Sequence, residues 1–179
     1  MALFGLRANE NLFLKRGKWQ ASYIPAVIEK APFLIGFEEQ VVDGKKVKNP
    51  VVCLDMDSPR VNYNDGEAIF TKTGENTNYL NQVSNHLMVI NQGIELSKAM
   101  FAAFNEHDLL ETISLNIELD SHEKISIEGN YTINQDKLFN LDGQALAELN
   151  SKGFLQMAYM VIASLNNVQK LVDIQNSRL

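Results

Sequence analysis

Cysteine is almost absent. Cys53 is the single thiol in a chain of 179 residues, so no intramolecular disulfide can form and nothing points to an oxidising compartment. Histidine is scarce as well. His86, His107 and His122 stand too far apart for a His-x-x-x-His or Cys/His ligand set. Four prolines and ten glycines exclude collagen-like and low-complexity classes. Basic charge is in deficit: 16 Lys and Arg against 22 Asp and Glu leave a formal net charge of -6. That sign is opposite to the footprint of a general nucleic-acid binder, so no nucleic-acid partner is expected. Long apolar runs are missing. The longest, from Met157 to Leu165, is broken by Tyr159 and Ser164 and falls short of the ~20 residues of a membrane span. Residues 2–6 meet Arg7 before they can form the core of a secretion signal. The expected setting is cytoplasmic, with leaderless export to the cell surface as the alternative.

Catalytic signatures are also lacking. There is no phosphate loop, no Gly-rich dinucleotide fingerprint and no nucleophile elbow. Asp55, Asp57, Asp65 and Glu67 form an acidic stretch without the ligand order of a calcium loop, and it reads as a solvated loop. Lys45, Lys46 and Lys48, like Arg7, Lys15, Arg16 and Lys18, read as solvated basic surface. No catalytic residue, metal ligand or cofactor is assigned.

What is present is a patterned apolar fraction of 45%, enough for a core in a chain of this length. The first third reads as short strands, with residues 2–6, 11–15 and 19–24 extended, a turn at Arg16-Gly17-Lys18, and a short helix after Pro25. A hairpin is expected over 37–57, because Asp43-Gly44 suits a type I′ turn. Within it Val51-Val52-Cys53-Leu54 reads as a buried strand, and Asn49-Pro50 as a break. A short strand is expected at Ala68-Ile69-Phe70. Leu80, Val83, Leu87, Ile90, Ile94, Phe101 and Phe104 recur at three- and four-residue steps, the stripe of one long helix. Gly93 within it suggests a kink or close packing. Alternation of Ile113, Leu115, Ile117 and Leu119, then Ile125 and Ile127, predicts a second hairpin. Residues 154–175 are apolar nearly all round and predict a buried C-terminal helix. The expected fold is α+β: a single domain over 1–179, antiparallel strands and hairpins packed against a long central helix and a buried C-terminal helix.

The most distinctive chemistry lies near the start. Phe13, Trp19, Tyr23 and Phe33, punctuated by Pro25 and Pro32, compose either an ordinary aromatic core or a groove for an extended peptide. Trp19 and Tyr23 are expected on one face of a strand, with Trp19 buried. Arg7, Asn11, Trp19, Tyr23 and Phe33 are the candidate rim or groove residues for binding.

This block resembles the bacterial SapC family. The similar residues run Ala2-Leu3-Phe4-Gly5-Leu6-Arg7, Asn11-Leu12-Phe13, Gly17-Lys18-Trp19, Tyr23-Ile24-Pro25-Ala26 and Pro32-Phe33. Gly66-Glu67-Ala68-Ile69-Phe70 with Gly74-Glu75, and Gly153-Phe154-Leu155 with Ser164-Leu165-Asn166-Asn167 and Leu171, follow in order. The resemblance implies an association with bacterial surface layers and no catalytic residues. A peptide-transporter permease that shares the label is set aside, since no spanning stretch is present. Members are usually longer before the Leu3-Phe4-Gly5-Leu6 stretch, which implies an open sheet edge and self-association here. The leading expectation is a non-enzymatic binding or assembly protein that forms a homodimer or takes a protein or peptide partner. The alternative is an enzyme or enzyme-accessory subunit acting on a small molecule or peptide.

Overall fold

A computed structural model describes residues 2–42 and 44–178. In chain order the elements are β1 (Leu14–Lys15), β2 (Lys18–Trp19), α1 (Ala26–Glu29), β3 (Phe33–Val42), β4 (Lys45–Leu54), α2 (Asn78–Glu106), β5 (Leu110–Glu118), β6 (Lys124–Ile133), α3 (Gln135–Phe139), α4 (Gly143–Ser151), α5 (Phe154–Ser164) and α6 (Asn167–Asn176). The chain is thus α+β, with three antiparallel strand pairs, β1–β2, β3–β4 and β5–β6. The described residues divide into two compact units. One joins the first 21 residues to the chain from Lys98 onward; the other is Ser22–Ser97.

In the first unit the N-terminal segment is folded by its own polar groups. Glu10 Oε2 accepts from the Leu6 N–H at 2.7 Å and from the Arg7 N–H at 3.2 Å. The Leu12 N–H donates to the Phe4 carbonyl at 2.7 Å. Residues 2–6 therefore form a looped segment and not the strand expected from their β-formers. Arg16 and Gly17 both take positive φ, 51° and 75°, the requirement of a type I′ turn, and this closes the two-residue pair β1–β2. The expected strand over 19–24 stops at Trp19, and residues 21–23 bend.

The hairpin β5–β6 places Ile113, Leu115 and Ile117 on a half-buried face, with Ser114, Asn116 and Glu118 exposed. Its alternation matches the sequence, apart from a bulge between Ile113 and Leu115. There Ser114 faces both Glu128 and Gly129, and Gly129 supplies the needed positive φ of 77°. Leu6, Leu12, Leu119, Leu171 and Val172 form one buried cluster of this unit. Phe104, Leu109, Ile133, Leu149, Phe154 and Ala158 belong to another.

The C-terminal apolar stretch is two helices, α5 and α6, and not one. The Ser164 hydroxyl donates to the Val161 carbonyl at 2.7 Å. The Leu165, Asn166 and Val168 N–H groups each donate three residues back. That tightening, at weak helix formers, ends the α-helical ladder. Buried residues on α5 are Phe154 and Ala158, while Met157, Tyr159 and Met160 are exposed.

In the second unit Phe33, Leu80, Val83 and Leu87 make the core, with Ile35, Leu54, Ile69 and Tyr79 against it. The long helix α2 is present as the periodicity predicts. Its stripe is shared: Leu80, Val83 and Leu87 pack in the second unit, Ala103 and Phe104 in the first, and Ile94 is exposed. Gly93 lies within the continuous helix α2, and nothing stands within 4 Å of the place a Cβ would take, so close packing does not account for it. The strand expected at Ala68-Ile69-Phe70 is a single bridge from Phe70 to Asn76.

The β3–β4 hairpin runs from Phe33 to Leu54 in place of the expected 37–57, and it continues without a break through Asn49-Pro50. Asp43 of the expected Asp43-Gly44 turn lies outside the described residues; Gly44 has φ 74°.

Candidate functional site

The five residues singled out near the start fall in two units, Arg7, Asn11 and Trp19 in the first and Tyr23 and Phe33 in the second. Phe33 is 3% exposed and is a core residue of the second unit, with its ring edge-on to Tyr79 at 5.9 Å. Tyr23 is 71% exposed on the bend after Ala21. Trp19 is half-buried in the first unit, 5.9 Å from the Phe4 ring and 5.8 Å from the Phe13 ring. Trp19 and Tyr23 do not share a strand face, because β2 ends at Trp19. Phe4, expected in a strand over 2–6, is the third member of this aromatic cluster; its spacing from Phe13 and Trp19 carries no periodic signal.

Arg7 and Asn11 serve the same segment. The Arg7 guanidinium grips Glu123 with two bonds, Nη2 to Oε2 at 2.7 Å and Nε to Oε1 at 3.3 Å. A further bond reaches Glu10 Oε1 at 3.3 Å. The hydrogen bonds to Glu123 hold the guanidinium pKa above its ordinary value. Asn11 Oδ1 accepts from the Phe13 N–H at 3.0 Å. Arg178 Nη2 reaches the Leu12 and Leu14 carbonyls. These contacts fix the N-terminal segment; they do not assemble a reacting site.

An open groove of about 660 Å³ in the first unit is lined by Asn116, Glu118, Asp120, Asn166, Gln169 and Asn176, among others. Its polar side chains are amides, carboxylates and the Ser114 hydroxyl. Among the described residues, no three His, Cys, Asp or Glu side chains stand close enough together to hold a metal ion. No helix of the described residues is long and apolar enough to cross a membrane.

The unusual surface is the β3–β4 ribbon. Leu34, Phe37, Val41 and Val42 of β3 and Val47, Val51 and Val52 of β4 are exposed, Phe37 at 57% and Val41 at 71%. Cys53 is exposed too. This overturns the expectation of a buried Val51-Val52-Cys53-Leu54 strand. The physical reason lies in topology: among the described residues β3 pairs only with β4, and the core reaches Phe33, Ile35 and Leu54 near the base. Beyond that base, apolar side chains on both faces stay in water.

In the register Phe33 faces Leu54, Ile35 faces Val52, Phe37 faces Pro50, Glu39 faces Lys48 and Val41 faces Lys46. Lys46 Nζ also pairs diagonally with Glu39 Oε2 at 3.4 Å. Acids and lysines thus alternate with the exposed apolar side chains along the ribbon. A two-stranded hairpin is marginal alone in water, and a contiguous exposed apolar surface marks an interaction site. Chemically, this arrangement can offer backbone donors and acceptors along an edge, with apolar contacts on the faces.

Comparison with known proteins returns no curated protein and no solved structure that matches the chain. The protein-family model described as SapC matches residues 1–171, and the chain belongs to the SapC family.

Proposed function

We propose that this SapC-family chain is a non-enzymatic binding or assembly protein, and that its working surface is the β3–β4 ribbon. The observation that carries the reading is Phe37. A large aromatic at 57% exposure, set between exposed Leu34 and Val41 on one strand, costs hydrophobic free energy until something covers it. Recognition by strand addition uses such a surface: main-chain bonds supply affinity and alternate side chains supply selectivity. The surface-layer setting implied by the family resemblance suits a protein whose work is assembly.

The test immobilises the full chain on a sensor surface. The probes are the full chain in solution and a displayed library of unstructured ten-residue peptides. Saturable binding of either probe, abolished by Phe37→Ser combined with Val41→Ser, supports the reading. No saturable binding of either probe up to roughly 100 µM, the range of weak complexes, removes it.

A further inference from the structure

We infer that the β3 edge, between Ile35 and Glu39, pairs antiparallel with the same edge of a second copy about a two-fold axis at Phe37. The inference rests on the binding and assembly reading of the ribbon and names its occupant.

The first step is which backbone groups face outward. The Asp55 N–H donates to the Pro32 carbonyl at 3.1 Å, which fixes the alternation of the ladder. Pairs such as Leu34–Cys53, Gly36–Val51, Glu38–Asn49 and Gln40–Val47 then exchange hydrogen bonds across the hairpin. Pairs Ile35–Val52, Phe37–Pro50, Glu39–Lys48 and Val41–Lys46 send their N–H and C=O groups to the free edges. Two observations agree with this phase. The Phe33 N–H points away from β4 and donates to the Lys30 carbonyl at 2.7 Å. Pro50, which has no N–H, occupies an outward position where the ladder loses nothing.

The two edges are not equal. On β4 the outward residues are Lys46, Lys48, Pro50 and Val52. A missing donor in the middle and two lysines beside it blunt that edge against another strand. On β3 the outward residues are Ile35, Phe37, Glu39 and Val41, each with its donor intact. At the base the edge is already used, since the Phe33 N–H is bonded to Lys30 O and Lys30 Nζ donates to the Phe33 carbonyl at 3.2 Å. One serviceable edge per copy gives a closed pair, because head-to-tail growth needs two complementary edges.

Charge sets the register. An axis at Glu38 places Glu38 against Glu38 of the second copy, a like-charge pair at close approach. An axis at Gly36 leaves only the two Ile35–Phe37 pairs before it reaches Phe33, whose groups Lys30 holds, whereas an axis at Phe37 adds the Phe37–Phe37 pair to two Ile35–Glu39 pairs. An axis at Phe37 pairs Ile35 with Glu39 of the second copy and Phe37 with Phe37 of the second copy. Glu38 then lies opposite Gly36, and Lys48 stands behind Glu39 in the same row. No acid meets an acid, and the two most exposed rings cover each other. The product is one four-stranded sheet in the order β4, β3, β3, β4, which has the strand number that a lone ribbon lacks.

The experiment is sedimentation equilibrium of the full chain over a wide concentration range, for the natural sequence, Phe37→Pro and Pro50→Ala. Phe37→Pro removes the outward donor on the axis and no bond of the hairpin ladder, and Gly36 before it tolerates proline. The expected result is a dimer whose dissociation constant rises about tenfold or more with Phe37→Pro, from two lost bonds at the axis, and stays unchanged with Pro50→Ala. A natural chain that is monomeric throughout overturns the inference. A dimer indifferent to Phe37→Pro overturns it too, while leaving the assembly reading in place on another surface. Should Phe37→Pro lose its folded circular-dichroism spectrum, cysteine cross-linking decides. In a Cys53→Ser background Phe37→Cys is expected to oxidise to a covalent dimer, since paired residues at about 5.5 Å lie within disulfide reach. Lys45→Cys, at the far end of the ribbon, is expected to stay monomeric. Equal cross-linking at both positions contradicts the pairing.

Discussion

Pro50 stands opposite Phe37 in the β3–β4 register, so the residue with no N–H to offer and the most exposed ring of the hairpin share one rung. The pairing makes the two edges of the ribbon chemically different. Proline blunts one edge in its middle, and Phe37 marks the other with an apolar side chain and a free donor.

The base of the ribbon is where its stability resides. Phe33 is buried against Tyr79, Leu80 and Val83, so Phe33→Ala is expected to lower stability by about 3–5 kcal/mol, the usual loss for a buried ring. Phe37→Ala, at an exposed position, is expected to change the urea midpoint little at concentrations where the chain is monomeric. A larger loss at Phe37 than at Phe33 sends the core assignment back.

Gly93 offers a gain. It sits inside α2 with open space where a Cβ would stand, so Gly93→Ala is expected to stabilise the chain by about 1 kcal/mol through helix propensity alone. Thermal melting checks it; a lower melting temperature means the position has a contact that the structure does not show.

Gly5 is the opposite case. A Cβ there meets the Glu10 backbone carbonyl at 2.7 Å and the Glu10 Cβ at 2.7 Å. Gly5→Ala is therefore expected to disturb the loop that seats Leu6, and to lower the midpoint of unfolding followed by circular dichroism. Trp19→Ala is expected to cost less than a fully buried ring, about 1–3 kcal/mol, because Trp19 is half-buried against Phe4 and Phe13. An unchanged midpoint for both variants speaks against an ordered N-terminal segment.

Acid sensitivity has one identifiable contributor. Lys152 Nζ donates to Glu148 Oε1 at 2.6 Å, and that bond with the nearby positive charge holds the Glu148 carboxyl below its ordinary value. A lowered folded-state value gives stability that is present above the unfolded-state value and is lost as pH falls through the folded-state value. Glu148→Gln is expected to melt slightly lower than the natural chain near neutrality and to converge with it in acid. High salt is expected to narrow the difference, because the pair is exposed. A difference that widens as the pH falls has the wrong sign for this pair.

Much of the architecture is legible in the sequence because single elements carry their own period. The α2 stripe and the β5–β6 alternation are local signals. What escapes is decided by neighbours. Val51-Val52-Cys53 has the composition of a buried strand, yet only the base of its hairpin reaches a core, so the same residues are exposed. Pro50 reads as a break, but in an edge position proline gives up no ladder bond. Phe13, Trp19, Tyr23 and Phe33 look like one aromatic set, while the strand that would align Trp19 with Tyr23 ends at Trp19, and Phe33 goes to a different core cluster. The apolar C-terminal stretch hides its break because Ser164 and the two asparagines weaken a helix without punctuating it as proline or glycine does.

The most direct measurement is amide hydrogen exchange of the ribbon at low and high protein concentration. The account expects the amides of Ile35, Phe37 and Glu39 to exchange quickly at low concentration and become protected at high concentration, while those of Lys46 and Lys48 stay fast in both. Protection that appears on the β4 amides, or none on β3 at any concentration, contradicts it.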